Sequence, residues 1–564
     1  MAPFLSLLLF FVLVSAAAGG HRYDHHGHHF PHPNPEISAA PLSQIRQACK
    51  ATRFPDACES TVSQSPSLPP NPSPSDLILA AANASAAGLW TARSMLQSIL
   101  NASEKASNLN RTNTARICLE VLSYSDRRLS AAFSRALPAG ALADARAWAS
   151  AALLYQYDCW SGLKYVNDTT QVSDAMAFLA GLANLTSNAV AMLAALQRYG
   201  PDIARWGPPQ TERDGYWADH VVSSFAAAAT AAGTTGHLPS EPNPDFTVCK
   251  GGGCGYATVQ AAVDDAPEGA ASLFVIYIKT GVYEETVRVP YEKTNLEFVG
   301  DGMGKTVITG SLNAGMVGVT TYNTATVGVS GDGFRARNLT IANTAGPDAH
   351  QAVAFRSDSD LSVLDTVEFL GHQDTLYGHS LRQLYRNCRI SGTVDFVFGN
   401  SAAVFDSCLI LFLPRQLNPE HGESNTLAAQ GRTDPAQSTG FVFHHCVVNG
   451  SDDYIALYRQ KPAVHRAYLG RPWKEYSRTV FIDTYMEFIV RPEGWLPWDG
   501  DFALKTLFYG EFGNSGPGAN ASARVPWSSQ IPAEHLGAYT LENFIQGNEW
   551  IGSNGAVGDV WRRR

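Results

Sequence analysis

The chain has 564 residues, of which 45% are hydrophobic and 16% are charged, and its mean hydropathy is −0.11. This composition is typical of a globular protein and excludes a disordered chain or one embedded in a membrane. The formal net charge of −10 at pH 7 leaves no broad basic surface to neutralise phosphates, so a nucleic-acid partner is not expected.

The first twenty residues predict a secretory signal peptide. An apolar run from Leu5 to Val14 precedes small residues at 15–20 that suit signal-peptidase cleavage. A short N-terminal anchor is the alternative. Asn-x-Ser/Thr sequons agree with a secretory route, and they begin at Asn83, Asn101, Asn110, Asn167, Asn184, Asn338, Asn449 and Asn520. We therefore expect a secreted protein with no membrane partner once the signal is removed.

Residues 21–40 are rich in histidine and proline. Such a tract can bind metal ions, but its histidines show no fixed ligand spacing. We therefore expect a linker here, and no metal site.

Residues 41–200 are rich in alanine and leucine, and apolar residues recur at spacings of three and four. This periodicity predicts four amphipathic helices with short connections, and hence an all-α four-helix bundle. The segments are Leu77–Leu100, Thr112–Phe133, Ala141–Leu163 and Val172–Leu196. No acid, base and nucleophile cluster there, so we interpret the bundle as a structural or binding module.

Nine cysteines in an oxidising compartment predict four disulfides and one unpaired thiol. The unpaired residue is expected to be Cys446, as a buried small hydrophobe. The expected pairs are Cys49–Cys58, Cys118–Cys159, Cys249–Cys254 and Cys388–Cys408.

A proline-rich stretch at 201–245 predicts a linker, and the texture of the chain changes after it. Residues 246–564 contain many short apolar runs of Val, Ile and Phe, and helical patterns are scarce. A loose unit of alternating apolar residues starts at positions 363, 384 and 404, which are 21 and 20 residues apart. This period indicates a solenoid of short strands, so we predict an all-β parallel β-helix.

The same period predicts which side chains stack on neighbouring coils, about 4.8 Å apart. Gln351 and Gln373 are separated by 22 residues, and Asp374 and Asp395 by 21. Two stacked aspartates cannot both ionise comfortably, so one pKa should rise while a cation holds the other down. Two glutamine amides could donate hydrogen bonds to an oxyanion. Together these residues predict ester or amide hydrolysis without a serine, whereas the alternative is a polar ladder that only stabilises the coils.

Five motifs occur in an order and spacing that resemble those of plant pectinesterases, also called pectin methylesterases. The four-cysteine helical region resembles the pectinesterase-inhibitor domain that precedes the catalytic domain in one class of this family. The resemblance implies a right-handed β-helix over 246–564. The motifs are Gly-Val-Tyr-Glu-Glu (281–285), Gln-Ala-Val-Ala (351–354), Gly-His-Gln-Asp-Thr-Leu-Tyr (371–377), Gly-Thr-Val-Asp-Phe-Val-Phe-Gly-Asn (392–400) and Leu-Gly-Arg-Pro-Trp (469–473).

The resemblance implies a role for each matching residue. Asp395 would be the nucleophile on the methyl ester of galacturonate, and Asp374 the acid and then the base. Gln373 and Gln351 would stabilise the oxyanion, while Arg471 would orient Asp395. Residues implied to touch substrate or line the cleft are Thr321, Gln351, Arg471, Trp473, Tyr377, Phe398 and Trp495, and the last three could equally pack the coils.

Two departures from the family pattern stand out. His372 replaces the usual tyrosine, and an imidazole beside Asp374 could shift the pH optimum, although a neutral groove residue is the preferred interpretation. The dibasic site that usually marks release of the inhibitor-like domain is not evident, because the stretch 210–216 holds only Arg213.

The implied substrate is methyl-esterified pectin in the plant cell wall, and no metal or organic cofactor is expected. The inhibitor-like domain could silence its own enzyme or assist export, and separate inhibitor proteins are further possible partners. The competing hypothesis is a non-catalytic wall-binding or inhibitory protein. A polygalacturonase or pectate lyase fits the two glutamines poorly, and no Gly-x-Ser-x-Gly motif supports a serine esterase.

Overall fold

The computed structural model describes residues 39–217, 243–415 and 423–551. The predicted signal peptide, nearly all of the histidine- and proline-rich segment and much of the 201–245 linker lie outside the described residues. From Ala40 onward the chain forms one unit that contains both the helical region and the β-helix.

Four long helices form the N-terminal bundle, and they match the four segments predicted from periodicity. The α-helices of the described residues are α1 (Ala39–Cys49), α2 (Pro55–Ser63), α3 (Pro74–Lys105), α4 (Leu109–Ala131), α5 (Leu142–Leu163), α6 (Thr170–Tyr199), α7 (Val259–Asp265), α8 (Asp452–Gln460), α9 (Leu541–Ile545) and α10 (Gly547–Trp550). In the bundle, α3 packs against α4 and α6, and α5 packs between α4 and α6.

Capping and small side chains explain why these helices form and pack closely. Ser73 caps α3 by accepting a hydrogen bond from the Asp76 backbone, while the Asp76 side chain accepts one from the Ser73 backbone. The apolar face of α5 includes many alanines, which allow neighbouring helices to approach. Helix α6 is long and apolar enough to span a membrane, but 61% of its most apolar window is buried inside the protein. We therefore interpret α6 as the core helix of the bundle.

Two disulfides staple this region, as predicted. Cys49–Cys58 links the end of α1 to α2, and Cys118–Cys159 ties α4 to α5. The third predicted pair, Cys249–Cys254, closes a glycine-rich turn after β1 (Phe246–Val248).

The C-terminal region is a right-handed parallel β-helix, as predicted. After β1 the strands of the described residues are β2 (Phe274–Ile278), β3 (Gly281–Glu284), β4 (Val287–Val289), β5 (Leu296–Gly300), β6 (Thr306–Gly310), β7 (Val327–Val329), β8 (Arg335–Asn343), β9 (Phe355–Ser357), β10 (Ser362–Leu370), β11 (Leu376–Gly378), β12 (Arg382–Arg386), β13 (Arg389–Gly392), β14 (Val394–Gly399), β15 (Ala402–Asp406), β16 (Leu409–Phe412), β17 (Glu423–Gln430), β18 (Gly440–His444), β19 (Val447–Gly450), β20 (His465–Gly470), β21 (Arg478–Ile482), β22 (Tyr485–Met486), β23 (Phe508–Phe512) and β24 (Ser529–Gln530). These strands form a sheet of 17 and a sheet of seven, and the seven-stranded sheet has the order β20-β17-β14-β11-β9-β7-β4.

The register of the coils confirms the sequence period. Val363 pairs with Leu384, and Leu384 pairs with Val404, which gives steps of 21 and 20 residues. The next coil is longer, since Val404 pairs with Val442. Each of these coils places two strands in the large sheet and one in the seven-stranded sheet.

Like side chains stack on one another inside the β-helix and form its hydrophobic core. The rings of Phe405, Phe443 and Phe481 stack on successive coils, with centroids 4.6 and 4.5 Å apart. Trp495 is buried in the same interior and stacks on Tyr509 at 4.3 Å. Of the two expectations for this residue, cleft lining or coil packing, the structure shows coil packing.

The predicted Cys388–Cys408 disulfide is wrong, because both residues are free and buried, as is Cys446. The three thiols lie at equivalent positions of successive coils, as expected from the period. Side chains stacked in this way point in the same direction, so the thiols lie side by side. Each donates a hydrogen bond to a backbone carbonyl 3.4 Å away, and Cys408 also contacts the thiols of Cys388 and Cys446. The prediction that Cys446 is unpaired is confirmed.

The bundle packs against the β-helix through polar and charged contacts. Arg128 of α4 binds Asp332 with hydrogen bonds of 2.6 and 2.7 Å. The Trp148 indole of α5 donates to Asp360 at 2.8 Å, and Ser187 of α6 donates to Asp434 at 2.6 Å. Arg382 of the β-helix pairs with Asp144 of α5 at 2.8 Å.

Candidate active site

The two predicted aspartates lie on adjacent coils, in the seven-stranded sheet. Asp374 lies two residues before β11, and Asp395 is the second residue of β14, which pairs with β11. The Asp374 backbone N–H donates to the Val394 carbonyl at 3.1 Å, which places the two aspartates side by side. They are 7% and 4% exposed.

Both aspartates adopt a backbone conformation that few side chains tolerate. Their φ angles are 64° for Asp374 and 51° for Asp395, in the left-handed region. The β14–β17 register also shifts between Val394 and Val397, which is a local bulge around Asp395. Such backbone irregularity is concentrated at functional sites, where it aims a side chain out of the regular ladder.

Arg471 and Thr426 hold the Asp395 carboxylate from two sides. Arg471 donates Nε to Oδ1 at 2.8 Å and its terminal nitrogen to Oδ2 at 2.6 Å, a bidentate pair. The Thr426 hydroxyl donates to Oδ1 at 2.6 Å and accepts from the Asp395 backbone at 3.0 Å. The carboxylate is thereby fixed in one orientation.

Asp374 has no such partner, and its surroundings favour the protonated form. Burial raises its pKa well above the usual value, the neighbouring Asp395 raises it further, and Arg471 opposes the shift. Burial would lower the pKa of Arg471, but its hydrogen bonds to Asp395 and the charge of that residue outweigh the effect and raise it. The site thus holds one carboxylic acid beside one carboxylate paired with a guanidinium.

The two glutamines lie on neighbouring turns of the same region. Gln373 directly precedes Asp374, and its carbonyl accepts a hydrogen bond of 3.1 Å from the backbone N–H of Ala352, which follows Gln351. Both side chains are half-buried, and within the described part of the chain neither amide is engaged in a hydrogen bond. Both amides therefore remain available to a ligand.

Three aromatic residues form a groove beside the aspartates. The rings of Tyr377 and Phe398 stack with centroids 4.1 Å apart, and Trp473 meets the edge of Phe398 at 5.9 Å. Gly431 is required here, since a Cβ at that position would lie 2.8 Å from the Trp473 ring. Thr321, the remaining predicted contact residue, begins a short 3-10 helix (Thr321–Thr324) whose Tyr322 packs against this aromatic cluster.

His372 is half-buried next to Gln373. Burial lowers its pKa from 6.5, and the charge of Asp348 opposes the shift without reversing it. The ring is therefore neutral at pH 7, which agrees with the interpretation of a neutral groove residue.

Two contacts of the site were missed from the sequence. Thr426 was not singled out, because a threonine inside a strand carries no signal of its own. The Trp498 ring lies 4.3 Å from the guanidinium carbon of Arg471, a cation–π contact, and this tryptophan is 36% exposed. It lies 25 residues beyond the 469–473 motif, so no motif signal marked it.

The end of α5 lies against this groove. Asp158 accepts a hydrogen bond of 2.8 Å from His379, whose ring is 4.6 Å from that of Tyr377. The adjacent Tyr157 ring lies 4.9 Å from the ammonium of Lys474, which also lies 4.5 Å from the Trp473 ring. The helical bundle therefore reaches the edge of the aromatic groove.

A carboxylic acid beside an arginine-bound carboxylate, placed together on a parallel β-helix, is an arrangement suited to a carboxylic ester hydrolase. A family model described as Pectinesterase matches residues 245–548, and one described as Plant invertase/pectin methylesterase inhibitor matches residues 43–192. The chain belongs to the pectinesterase family, and it carries an inhibitor-like domain before the esterase.

Individual relatives agree with this assignment. "Probable pectinesterase/pectinesterase inhibitor 64" of Arabidopsis thaliana is 55% identical over 513 residues, covering 90% of this chain and 84% of the relative. "Pectinesterase 2" of Citrus sinensis is 48% identical over 317 residues, covering 56% of this chain and 60% of the relative. The solved structure "Pectin methylesterase from Carrot" is 44% identical with a TM-score of 0.53, and the match covers 57% of this chain and 100% of that one.

Proposed function

We propose that this chain hydrolyses the methyl esters of pectin with Asp395 as nucleophile and Asp374 as acid and base. The observation that carries the proposal is the contrast between the two carboxyl groups. Asp395 is held by Arg471 at 2.6 and 2.8 Å, while the pKa of buried Asp374 is raised. One group is prepared to attack and the other to donate a proton.

In the first half of the reaction a carboxylate oxygen of Asp395 attacks the ester carbonyl carbon. The amides of Gln351 and Gln373 donate hydrogen bonds to the resulting oxyanion. The intermediate then collapses, the bond to the methoxy oxygen breaks, and Asp374 gives its proton to that oxygen. Methanol leaves, and the galacturonate acyl group remains bound to Asp395 as an anhydride.

In the second half Asp374, now a carboxylate, takes a proton from water. The hydroxide oxygen attacks the acyl carbon and the bond to Asp395 breaks. The products are a galacturonate carboxylic acid, which ionises, and the two aspartates in their starting protonation states. Trp473, Tyr377, Phe398 and Thr321 would contact the polymer beside the reacting ester.

The test is methanol release from highly esterified pectin, with reducing ends counted in parallel. Asp395→Asn should lower the rate about 10⁴-fold or more, because no carboxylate remains to attack. Asp501→Asn, an exposed aspartate, is the matched control. Unchanged methanol release in Asp395→Asn would contradict the assigned nucleophile, and a folded parent without methanol release at any pH would favour the non-catalytic alternative.

We further propose that residues 41–200 and residues 246–564 are two domains of a protein secreted to the cell wall. In this proposal the first domain inhibits the second. The support is the position of Asp158 and Tyr157 beside the aromatic groove, where a polymer would otherwise bind. The docked bundle would block the groove until it separates. The alternative is a role of the bundle in export, which does not require those contacts.

The inhibition is tested by Asp158→Lys in the full chain. A lysine there meets Lys474 and protonated His379, so the bundle should separate from the groove and methanol release should rise about tenfold. Asp174→Lys changes an equally acidic but exposed position on α6 and should leave the rate unchanged. Equal rates for the parent and Asp158→Lys, with Asp395→Asn inactive in both, would reject inhibition while keeping the esterase assignment.

A further inference from the structure

Two histidines and two aspartates gather at one turn of the β-helix, where β18 of the large sheet ends. His444 is the last residue of β18 and pairs in register with Asp406, the last residue of β15. His445 and Asp483 follow the ends of β18 and β21, and both adopt left-handed φ angles, of 51° and 50°. The turn therefore projects four metal-ligating side chains toward solvent from three successive coils.

The two imidazoles lie between the two carboxylates. The His444 and His445 rings stack with centroids 3.8 Å apart. Their Nδ1 atoms lie 3.9 and 3.7 Å from Asp406 Oδ1, and their Nε2 atoms lie 3.9 and 4.0 Å from Asp483 Oδ2. One ligand atom each from Asp406, His444 and His445 lies within 4.8 Å of the others.

These separations are close to those of a metal centre. Ligand atoms about 2.0–2.1 Å from a tetrahedral Zn²⁺ ion lie about 3.3 Å from one another. The separations of 3.9 and 3.7 Å between Asp406 Oδ1 and the two imidazole Nδ1 atoms are within about 0.6 Å of that distance, and all three ligand atoms lie within 4.8 Å of one another. The exposed fractions of these side chains, 24% for Asp406, 28% for His444 and 45% for His445, give an ion access from solvent.

The charge at the turn favours a divalent cation. Arg386 occupies the position next to Asp406 on the preceding coil, but its guanidinium is turned to Asp365, at 2.7 Å. The ion pairs of Asp406 and Asp483 within the described ranges are with these histidines alone.

We propose that Asp406, His444 and His445 bind one divalent transition-metal ion of the Zn²⁺ class. Imidazole and carboxylate are ligands that suit Zn²⁺ and its neighbours, and a water molecule fills the fourth position, within reach of Asp483. The ion joins two coils by their side chains, and Asp483 on the third coil adds its charge. The site lies outside the seven-stranded sheet that carries the catalytic aspartates, so its role is to fasten coils together.

The test measures Zn²⁺ binding to the full chain by calorimetric titration. The six histidines between 21 and 32 are first changed to serine, so that this tract does not bind the ion. This parent should bind one Zn²⁺ per chain, and its melting temperature should rise with Zn²⁺ concentration. The variant His444→Asn/His445→Asn should lose both effects, and Asp406→Asn should weaken binding at least about tenfold.

His350→Asn is the matched control, because His350 is exposed and also has a positive φ, 59°. Asparagine tolerates this conformation, so both variants should fold, and both should keep the esterase activity of the parent. Co²⁺ in place of Zn²⁺ should give the visible absorption of a tetrahedral site in the parent and in His350→Asn only. Equal Zn²⁺ binding by the parent and the double variant, or none by either, would overturn the proposal.

Discussion

The helical bundle and the β-helix reach stability by different means. The bundle closes four helices around one core and adds two disulfides, Cys49–Cys58 and Cys118–Cys159. The β-helix repeats one pattern of stacked side chains from coil to coil, and its three stacked cysteines stay reduced. The difference teaches that a solenoid is stabilised by contacts between neighbouring coils. The small closed bundle is also stabilised by disulfides, which restrict its unfolded chain.

The sharpest way to test this contrast is to open the aromatic stack of the β-helix. Phe443→Ala removes a fully buried ring between Phe405 and Phe481, and should cost about 3–5 kcal/mol of unfolding free energy. Hydrogen exchange followed by mass spectrometry should show lost protection in the adjacent coils and not in the bundle. Phe488→Ala, at a ring that is 37% exposed, is the control and should have a much smaller effect.

Removing a disulfide should destabilise the helical bundle rather than the β-helix. Cys118→Ser/Cys159→Ser opens a link across 41 residues and should cost the bundle about 4 kcal/mol, because the unfolded chain gains freedom. The matched change, Cys249→Ser/Cys254→Ser, opens a separation of only five residues and should cost about 2 kcal/mol. Thermal unfolding with the same exchange readout measures both, and equal losses would contradict the entropic account.

A smaller, pH-dependent effect should appear where the two regions meet. Burial would lower the pKa of His379, but the charges of Asp358 and Asp158 outweigh it and raise the pKa to about 9. Asp358 belongs to the β-helix and stays beside His379 when the bundle separates, so only the part of this shift that comes from Asp158 favours docking. That part is present while His379 is protonated and is lost as the pH rises through about 9.

Methanol release by the full chain should accordingly increase between pH 6.5 and 9, relative to the Asp158→Lys variant measured at the same pH. Asp158→Asn should flatten this relative increase, since one of the two carboxylates that hold the proton is gone. A relative rate that falls across this interval would show that His379 does not hold the bundle.

Much of this architecture can be predicted from the sequence, because apolar residues recur with one period in the bundle and with another in the β-helix. Apolar spacings of three and four give the helices of the bundle, and the steps of 21 and 20 residues from Val363 to Val404 give the coils. The period also brings Asp374 beside Asp395, and the motif order places Arg471 with them.

Other features depend on directions that spacing does not contain. The period places Cys388 next to Cys408, but it does not tell that both thiols point the same way. Trp495 could have lined the cleft or packed the coil, because the sequence around it does not distinguish the inside of a coil from the outside. Thr426 reaches Asp395 only through the bulge in β14. The two residues are 31 positions apart, and no local sequence pattern predicts a hydrogen bond between them.

The contact between the bundle and the β-helix is built from ion pairs and hydrogen bonds, such as Arg128 to Asp332 and Trp148 to Asp360. Apolar groups also meet across it, because Leu381 and Ala436 of the β-helix belong to the buried core cluster of the bundle and Tyr291 stacks on Tyr124. Separation would therefore expose apolar as well as charged groups to water. The peptide link between the two regions fixes their ratio at one to one, so each β-helix has a bundle within reach.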